Sequence, residues 1–599
     1  MTVRVRELLF LLVLVLVALG LRFYDLRLAP ALFTHDELHY ISEAQSLVVS
    51  GSDLTDTWKP WHFRPTSPLY AELPSTVMMI GSLLFQDVFL KARFVHIVLG
   101  VLLPIVLGGI GWNLTQRKRV FWLTVGVGLL NPWLFQFSRM SFDALLSLFF
   151  YSLGVLGLLS LSAKWRWTAF LAFVLGFFQY QGLKLIFLPL IFLTTGFIFW
   201  RDFPARITGK LLVLFEHVPK KQLDLLLIVA LSVVVFGWFL TQLPTQSASS
   251  RVNDILFFNN KLLSQKVNEQ RLLSLEDPFG KLAVNKASVV THEFLIKYAQ
   301  TFDPSQLFVR GESVRNPFSV WTRGMFYPID IVLLGSGVFT LIIEKKLRKQ
   351  LLLLLGFVLI SPLPVAVNSI DTWVMFRGAW LIVSFILLMG IGLDALVRWL
   401  SKGWLKIVLA VFILVYILNV LNFFNEYFYR YPVYGTKGTA FAERVVANYI
   451  HRLPKEMKVV VLVDEARFVF ESYLVYNNLI NEDNMPQIQE AMKSSVYRLG
   501  NVTFATDCLD VEAFADDTVF INNSVNVTCD QKPVPSLNQP YSKIPSLLDN
   551  GAQFTIYNDL ICSKYALRPF VHVTNRRILD VERLDNQQFC DELFSKPIE

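Results

Sequence analysis

Residues 7–44 read ELLFLLVLVLVALGLRFYDLRLAPALFTHDELHYISEA. No charge interrupts positions 8–21, and Arg4 and Arg6 precede them. A helix needs about 20 mostly apolar residues to cross a bilayer, so 7–23 reads as a spanning helix with a basic leading end. No small-residue cleavage site follows, so it is expected to stay as an anchor rather than leave as a signal peptide. Just beyond it, Asp36 and Glu37 stand side by side.

The apolar pattern recurs. Of 599 residues 54% are hydrophobic and 17% charged, and the mean hydropathy is +0.48. That composition is too apolar for a soluble protein, and the bilayer is its main solvent. Apolar windows fall near 7–23, 93–114, 119–138, 141–162, 167–182, 184–200, 223–243, 326–343, 350–367, 377–397 and 407–424, which predicts about eleven spans. Alternate loops carry Arg117-Lys118-Arg119, Lys164 with Arg166, Arg201 through Lys221, Lys345-Lys346 with Arg348-Lys349, and Arg398 with Lys402 and Lys406. All share the N-terminal side, which the positive-inside rule makes cytoplasmic. The C-terminus is then exoplasmic. The net charge of +8 follows this pattern and membrane lipid, with no case for nucleic acid.

All four cysteines, Cys508, Cys529, Cys562 and Cys590, lie in the polar tail. An even set confined to one segment points to disulfides and an oxidising, exoplasmic compartment. Of the three pairings, the local one, 508–529 with 562–590, is preferred; free thiols are the alternative. The expected organisation is a transmembrane domain over 1–425 and a soluble exoplasmic α/β domain over 426–599. Within the first part lie two long outer loops, 24–92 and 244–325. The stretch 69–85 reads as interfacial helix, and 251–273 as amphipathic helix. In the tail, Val459–Val463, Val519–Asn522 and Gln553–Tyr557 read as strands and Glu465–Asn477 as a helix.

Taken singly, the ionisable residues of the outer face have ordinary explanations. Asp36 and Glu37 fit loop acids or a helix N-cap. Arg139 and Asp143, four apart, fit an ion pair on one helical face. Lys184 and Arg377, at outer helix ends, fit snorkelling side chains. Together they point to a site for an anionic headgroup, because charges at a membrane edge usually face water or the protein interior. His35, His39, His62 and His96 lack metal-type spacing. No phosphate loop and no G-x-S-x-G elbow is present. A polytopic lipid or glycan transporter or flippase is the alternative class, but it predicts paired broken helices and mid-membrane charges.

These motifs resemble those of C-type membrane glycosyltransferases that use polyprenyl-phosphate sugars, in particular protein O-mannosyltransferases, lipid A aminoarabinose transferases and their bacterial relatives. The similarity rests on Asp36-Glu37 followed by Tyr40 and Ala44, on Ser138-Arg139-x-x-x-Asp143 after Asn131-Pro132, and on Gly182-x-Lys184 with Pro189 behind it. Further matches are Phe376-Arg377 after Ser361-Pro362-Leu363-Pro364, and the segment from Tyr298 to Gly311. The resemblance covers about 1–425. It implies inverting transfer of a sugar from a polyprenyl-phosphate donor to a hydroxyl of a glycan, lipid or protein acceptor, outside the cytoplasm of a prokaryotic plasma membrane. Asp36 would be the general base with Glu37 beside it. Lys184, Arg377 and Arg64 would bind the donor phosphate, supported by Arg139, Asp143, Tyr40 and His62. No cofactor is required; a divalent metal is compatible but not indicated. Val374-Met375 departs from the family pattern, where a histidine often stands before the arginine.

Overall fold

The computed structural model describes the chain except residues 1–2, 61–69, 161, 203–222, 243–259, 276–278, 313–319, 321, 369–373, 402, 437–438, 507–517, 524–540, 566–567, 572, 574 and 596–599. His62, Arg64, Cys508 and Cys529 therefore lie outside the described residues, as does 251–259 of the amphipathic segment.

Each of the eleven apolar windows is helical, though several are broken. In chain order the main helices are α1 Val3–Phe23, α2 His35–Ser50, α3 Pro74–Leu84, α4 Val88–Thr115, α5 Lys118–Leu130, α6 Pro132–Arg139 and α7 Asp143–Leu159. They continue as α8 Ala163–Phe177, α9 Phe187–Asp202, α10 Leu223–Gln242, α11 Asn260–Leu272, α12 Lys286–Gln300, α13 Asp330–Ile343, α14 Arg348–Ile360, α15 Trp380–Leu400 and α16 Leu405–Asn425. The window 119–138 is not one rod. Pro132 lacks an N–H, and the Asn131 side chain accepts from Leu134 N at 2.9 Å to start a new helix. As a result α5 and α6 meet at 62°. By length and composition six helices can cross a membrane among the described residues, or up to seven if that bent pair counts as one; the other windows form shorter or more charged helices.

The loops that carry Arg117 and Arg398 do meet at one face. Arg117 pairs with Glu344 at 2.5 Å and Asp394 at 3.4 Å, and Arg398 pairs with the same two acids at 3.0 Å each. That cluster joins the ends of α4, α13 and α15. Elsewhere the spans show apolar faces outward, with Ile407 68% and Leu414 55% exposed, as lipid-facing side chains would be. The protein is a polytopic, α-helical membrane protein with a C-terminal α/β domain.

That domain holds α17 Thr439–Arg452, β1 Lys458–Leu462, α18 Ala466–Tyr476, α19 Met485–Ser494, β2 Tyr497–Leu499, β3 Val502–Ala505, β4 Thr518–Asn523, β5 Tyr541–Pro545, β6 Ala552–Tyr557 and α20 Asn586–Leu593. The sheet order is β2-β3-β1-β4-β6-β5. Its centre, β3-β1-β4, is parallel and its flanks are antiparallel. The run Val459-Val460-Val461 supplies the apolar middle that a parallel strand between two neighbours needs. Cys562 and Cys590 form a disulfide.

The main core of the domain is continuous with the first outer segment. Phe33, Leu38, Ile41, Ala44 and Phe89 of the first outer segment are buried in one cluster with Val445, Phe470, Leu474 and Tyr476. Phe33 stacks on Tyr476 with ring centroids 5.3 Å apart, and the Tyr476 hydroxyl accepts from Phe33 N at 2.9 Å. Burying apolar area of this kind is the dominant favourable term in folding. Residues 436–599 expressed alone should therefore bind a hydrophobic dye and melt without cooperativity; a sharp thermal transition from that fragment would contradict a shared core.

Helix α2 is buried along most of its length, polar groups included. Glu43 is one of them. Burial first, and then the nearby Asp53 carboxylate, push its carboxyl up to about 8, opposed by a hydrogen bond from Leu54 N at 2.9 Å. A folded value above the unfolded one means the fold favours the protonated acid. That preference is fully present below about pH 4.5 and is lost as pH rises through about 8. Glu43→Gln keeps the acceptor without the charge. Its melting temperature should match wild type near pH 5 and exceed it increasingly toward pH 9, by on the order of a few kcal/mol in stability. A pH-independent difference would contradict this.

Candidate active site

The turn between α1 and α2 delivers Asp36, and buried arginines hold it through its backbone. Arg139 donates to the carbonyls of Arg22 at 2.6 Å, Tyr24 at 2.8 Å and Ala29 at 2.6 Å. Arg93 donates to Leu26 at 2.8 Å, Pro30 at 3.0 Å and Leu32 at 2.7 Å. Arg444, from the C-terminal domain, donates to Ala31 O and pairs with Glu582. All three are fully buried. Aromatic faces complete their surroundings: Phe33 lies 4.9 Å from the Arg93 guanidinium, Phe428 5.1 Å from that of Arg139 and Phe89 4.8 Å from that of Arg444. A buried guanidinium is tolerated when its fork meets acceptors: carbonyls take the Arg139 nitrogens and both Arg93 Nη atoms, whereas Glu582 takes Nε and one Nη of Arg444.

The turn ends in a capping box. The Glu37 carboxylate accepts from Thr34 N at 2.9 Å, and Thr34 Oγ1 accepts from Glu37 N at 3.3 Å. The other Glu37 oxygen accepts from Ser141 N at 2.7 Å and lies 3.8 Å from Arg93 Nε. Burial pushes this carboxyl up, against the Arg93 charge and the two backbone N–H groups. The structure thus separates the acidic pair: Glu37 is buried and clamps the α6–α7 turn, while Asp36 is half-buried.

Arg139 and Asp143 do not share a helical face, because the chain breaks between α6 and α7 and the two residues take different partners. Asp143 accepts from the Tyr40 hydroxyl at 2.6 Å, and that hydroxyl also accepts from Ala71 N at 3.1 Å. Tyr40 lies one turn after Asp36, so this contact fixes the face of α2 that carries Asp36. Asp36 and Asp143 are within electrostatic reach of each other.

Tyr180 joins this group to Arg377. It lies within electrostatic reach of Arg377, Asp143 and Asp36. Its ring fits only because residue 182 is glycine: a Cβ there would meet the Tyr180 ring at 2.6 Å. Arg377 ends a one-turn helix, Val374–Arg377, whose first N–H groups are taken by buried Glu312, at 2.5 Å from Val374 and 3.4 Å from Met375. Glu312 follows Gly311, which sits at φ +67° with Arg323 O 2.1 Å from where a Cβ would be, so no other residue fits that loop.

Lys184 is placed nearby but already engaged. It lies in a 3-10 turn, Gly182–Ile186, and its ammonium donates to both oxygens of buried Glu72, at 2.6 and 2.8 Å. Phe177, Phe178 and Phe239 surround it at 4.1 to 5.6 Å. Segment 70–73 runs along this turn, with Gln181 donating to Tyr70 O at 3.0 Å and Leu73 N to Phe178 O at 3.0 Å. The structure therefore brings together Asp36, Tyr40, Asp143, Tyr180 and Arg377, with the Lys184–Glu72 pair alongside.

Sequence reasoning passed over Arg93, Arg444, Tyr180, Glu72 and Glu312. Arg93 carried a signal, as one of two cations, with Lys91, in the first turns of a long apolar helix. The others became visible only through contacts between distant segments. Among the described residues, no group of three or more His, Cys, Asp or Glu side chains is placed to hold a metal ion.

No protein-family model and no curated protein matches the sequence. Among solved structures, the chain is similar to ArnT from Cupriavidus metallidurans bound to undecaprenyl phosphate, at 12% identity and a TM-score of 0.51, covering 91% of this chain and 98% of that one. It also matches the archaeal oligosaccharyltransferase AglB from Archaeoglobus fulgidus, in complex with an inhibitory peptide and a dolichol-phosphate, at 11% identity and a TM-score of 0.42, over 86% of this chain and 69% of the other. At such identities the likeness is one of fold. Over nearly its whole length, membrane part and tail together, the chain has a fold similar to that of ArnT.

Proposed function

We propose that this protein transfers a sugar from a polyprenyl-phosphate donor to an acceptor hydroxyl, at the exoplasmic face of a prokaryotic plasma membrane. The observation that carries the proposal is the meeting of Asp36, Asp143 and Arg377 around Tyr180, in a fold shared with a protein crystallised with undecaprenyl phosphate. The basic loops on one side of the membrane and the disulfide in the tail support the orientation.

In this reading Asp36 removes the proton of the acceptor hydroxyl. The acceptor oxygen bonds to the anomeric carbon as the bond from that carbon to the phosphate oxygen breaks. One displacement inverts the configuration and releases polyprenyl monophosphate. Arg377 meets the charge that develops on the leaving phosphate, where a fixed cation needs no reorganisation. Tyr180 orients Arg377, and Asp143 orients α2 through Tyr40. Lys184 acts through Glu72 to shape the wall beside the site, since its charge is already matched. Glu37 acts as a clamp for the turn that carries the base. Stabilising one leaving phosphate with a guanidinium does not call for a metal.

The test uses full-length protein in lipid with a polyprenyl-phosphate sugar. Asp36→Asn should lower kcat by about 10²–10⁴-fold, the usual worth of general-base assistance, with donor affinity kept. Turnover like wild type would rule out the base role. Arg377→Gln should instead weaken donor binding by roughly 10- to 100-fold, in line with a charge-assisted hydrogen bond worth about 1.5–3 kcal/mol. Unchanged donor affinity would place the phosphate elsewhere.

A further inference from the structure

We infer that the C-terminal domain positions Asp36 and sets the charge around it, through Glu471 and Arg467 acting on His39. This rests on the reading of Asp36 as the base and deepens it, by giving the tail a task in the reaction.

The contact runs along α2. His35, the first residue of the helix, lies with Nε2 3.0 Å from Glu443 Oε1 and Nδ1 3.7 Å from Glu465 Oε2, and its ring stacks on Phe468 at 4.1 Å. His39, 1% exposed, has Nδ1 3.2 Å from an Arg467 guanidinium nitrogen and 3.7 Å from Glu471 Oε1. Arg467 donates to Glu471 at 2.9 Å within α18. Tyr70 covers the other side of the His39 ring at 3.7 Å, and Glu43 lies 3.9 Å from Nε2. The groups facing His39 are thus Glu471 and Arg467 from α18, Tyr70 from the first outer segment, and Glu43 and Asp36 from its own helix. Those facing His35 are Glu443, Glu465 and Asp36.

Geometry makes this more than packing. Successive helical residues point about 100° apart. Tyr40 is held from the membrane side by Asp143, and its neighbour His39 from the tail side by Glu471 and Arg467. Two anchors on adjacent residues stop the helix from rolling about its axis, and Asp36, one turn before them, is fixed with it. A histidine wedged between fully buried Glu471 and its half-buried partner Arg467 is a poor choice for stability alone, since an apolar side chain of similar volume would avoid desolvating charges. Electrostatics follow from the same contact. The charges of Glu471 and Arg467 offset each other, so Asp36 feels nearly none of either; removing one exposes the other.

The experiment compares Glu471→Gln, Arg467→Lys and Asp36→Asn with wild type, in full-length protein given a polyprenyl-phosphate sugar. Glu471→Gln leaves Arg467 unopposed and favours ionised Asp36. Its kcat should fall at least tenfold with donor KM within threefold, and the acid limb of its pH–rate profile should move down by about 0.3–0.5 pH unit, the order expected of one unopposed, solvent-screened charge. Arg467→Lys keeps the charge and should keep the acid limb in place. Hydrogen exchange at the amides of residues 38–42 should quicken in Glu471→Gln, while that of 459–462 stays protected. If strand protection is lost, His39→Gln, which leaves the ion pair of the tail intact, should give the same loss of kcat. Wild-type kcat in Glu471→Gln or His39→Gln, or a loss with the acid limb unmoved, would overturn the inference. If Asp36→Asn turns over like wild type, the proposed base is wrong; if it is dead while Glu471→Gln is normal, only the inference falls.

Discussion

Backbone carbonyls filling the forks of buried arginines are the interaction on which this structure depends. The last turn of α1 and the turn from Tyr24 to Leu32 leave carbonyls that no regular element absorbs, where the chain leaves the bilayer. Arg139 and Arg93 come to it from two membrane helices and Arg444 from the C-terminal domain. Each would be intolerable in an apolar interior without acceptors, and the carbonyls would be intolerable without donors. The two needs cancel. The result is a rigid lead into α2, so the first carboxylate of that helix has a fixed address.

The same logic explains why the two parts of the chain cannot be treated as a membrane unit and an appendage. The first outer segment is too small to cover its own apolar face, and the sheet domain leaves Phe470, Leu474 and Tyr476 with the same need. They bury each other. Polar contacts then fix the direction in which they do so, from Phe33 N on Tyr476 to His35 on Glu443. Helix α2 lies between the membrane part and the sheet domain and takes its position from both.

Much of this architecture is written in short stretches of sequence. Apolar windows mark each of the six helices that, among the described residues, are long and apolar enough to cross a membrane, and Val459-Val460-Val461 marks the central strand. Asp36 stands out only in company, as an acid just past a spanning helix with several cations on the same face. The bend at Asn131-Pro132 was less legible, because the apolar pattern runs through it while the backbone cannot. What the sequence hides is partnership. Nothing near Lys184 points to Glu72, 112 positions away, and nothing near Arg444 points to Ala31, 413 positions away. Adjacent Asp36 and Glu37 look equivalent as letters, yet one turn of capping geometry buries the second and leaves the first at the site.

The most direct test of the central claim is a structure of the protein with a polyprenyl phosphate in a lipid environment. The account predicts the phosphate against Arg377 and Tyr180, on the side of the site that Asp36 faces, with the Lys184–Glu72 pair unbroken beside it. A phosphate bound away from Arg377, or a lipid path that never approaches Asp36, would contradict it.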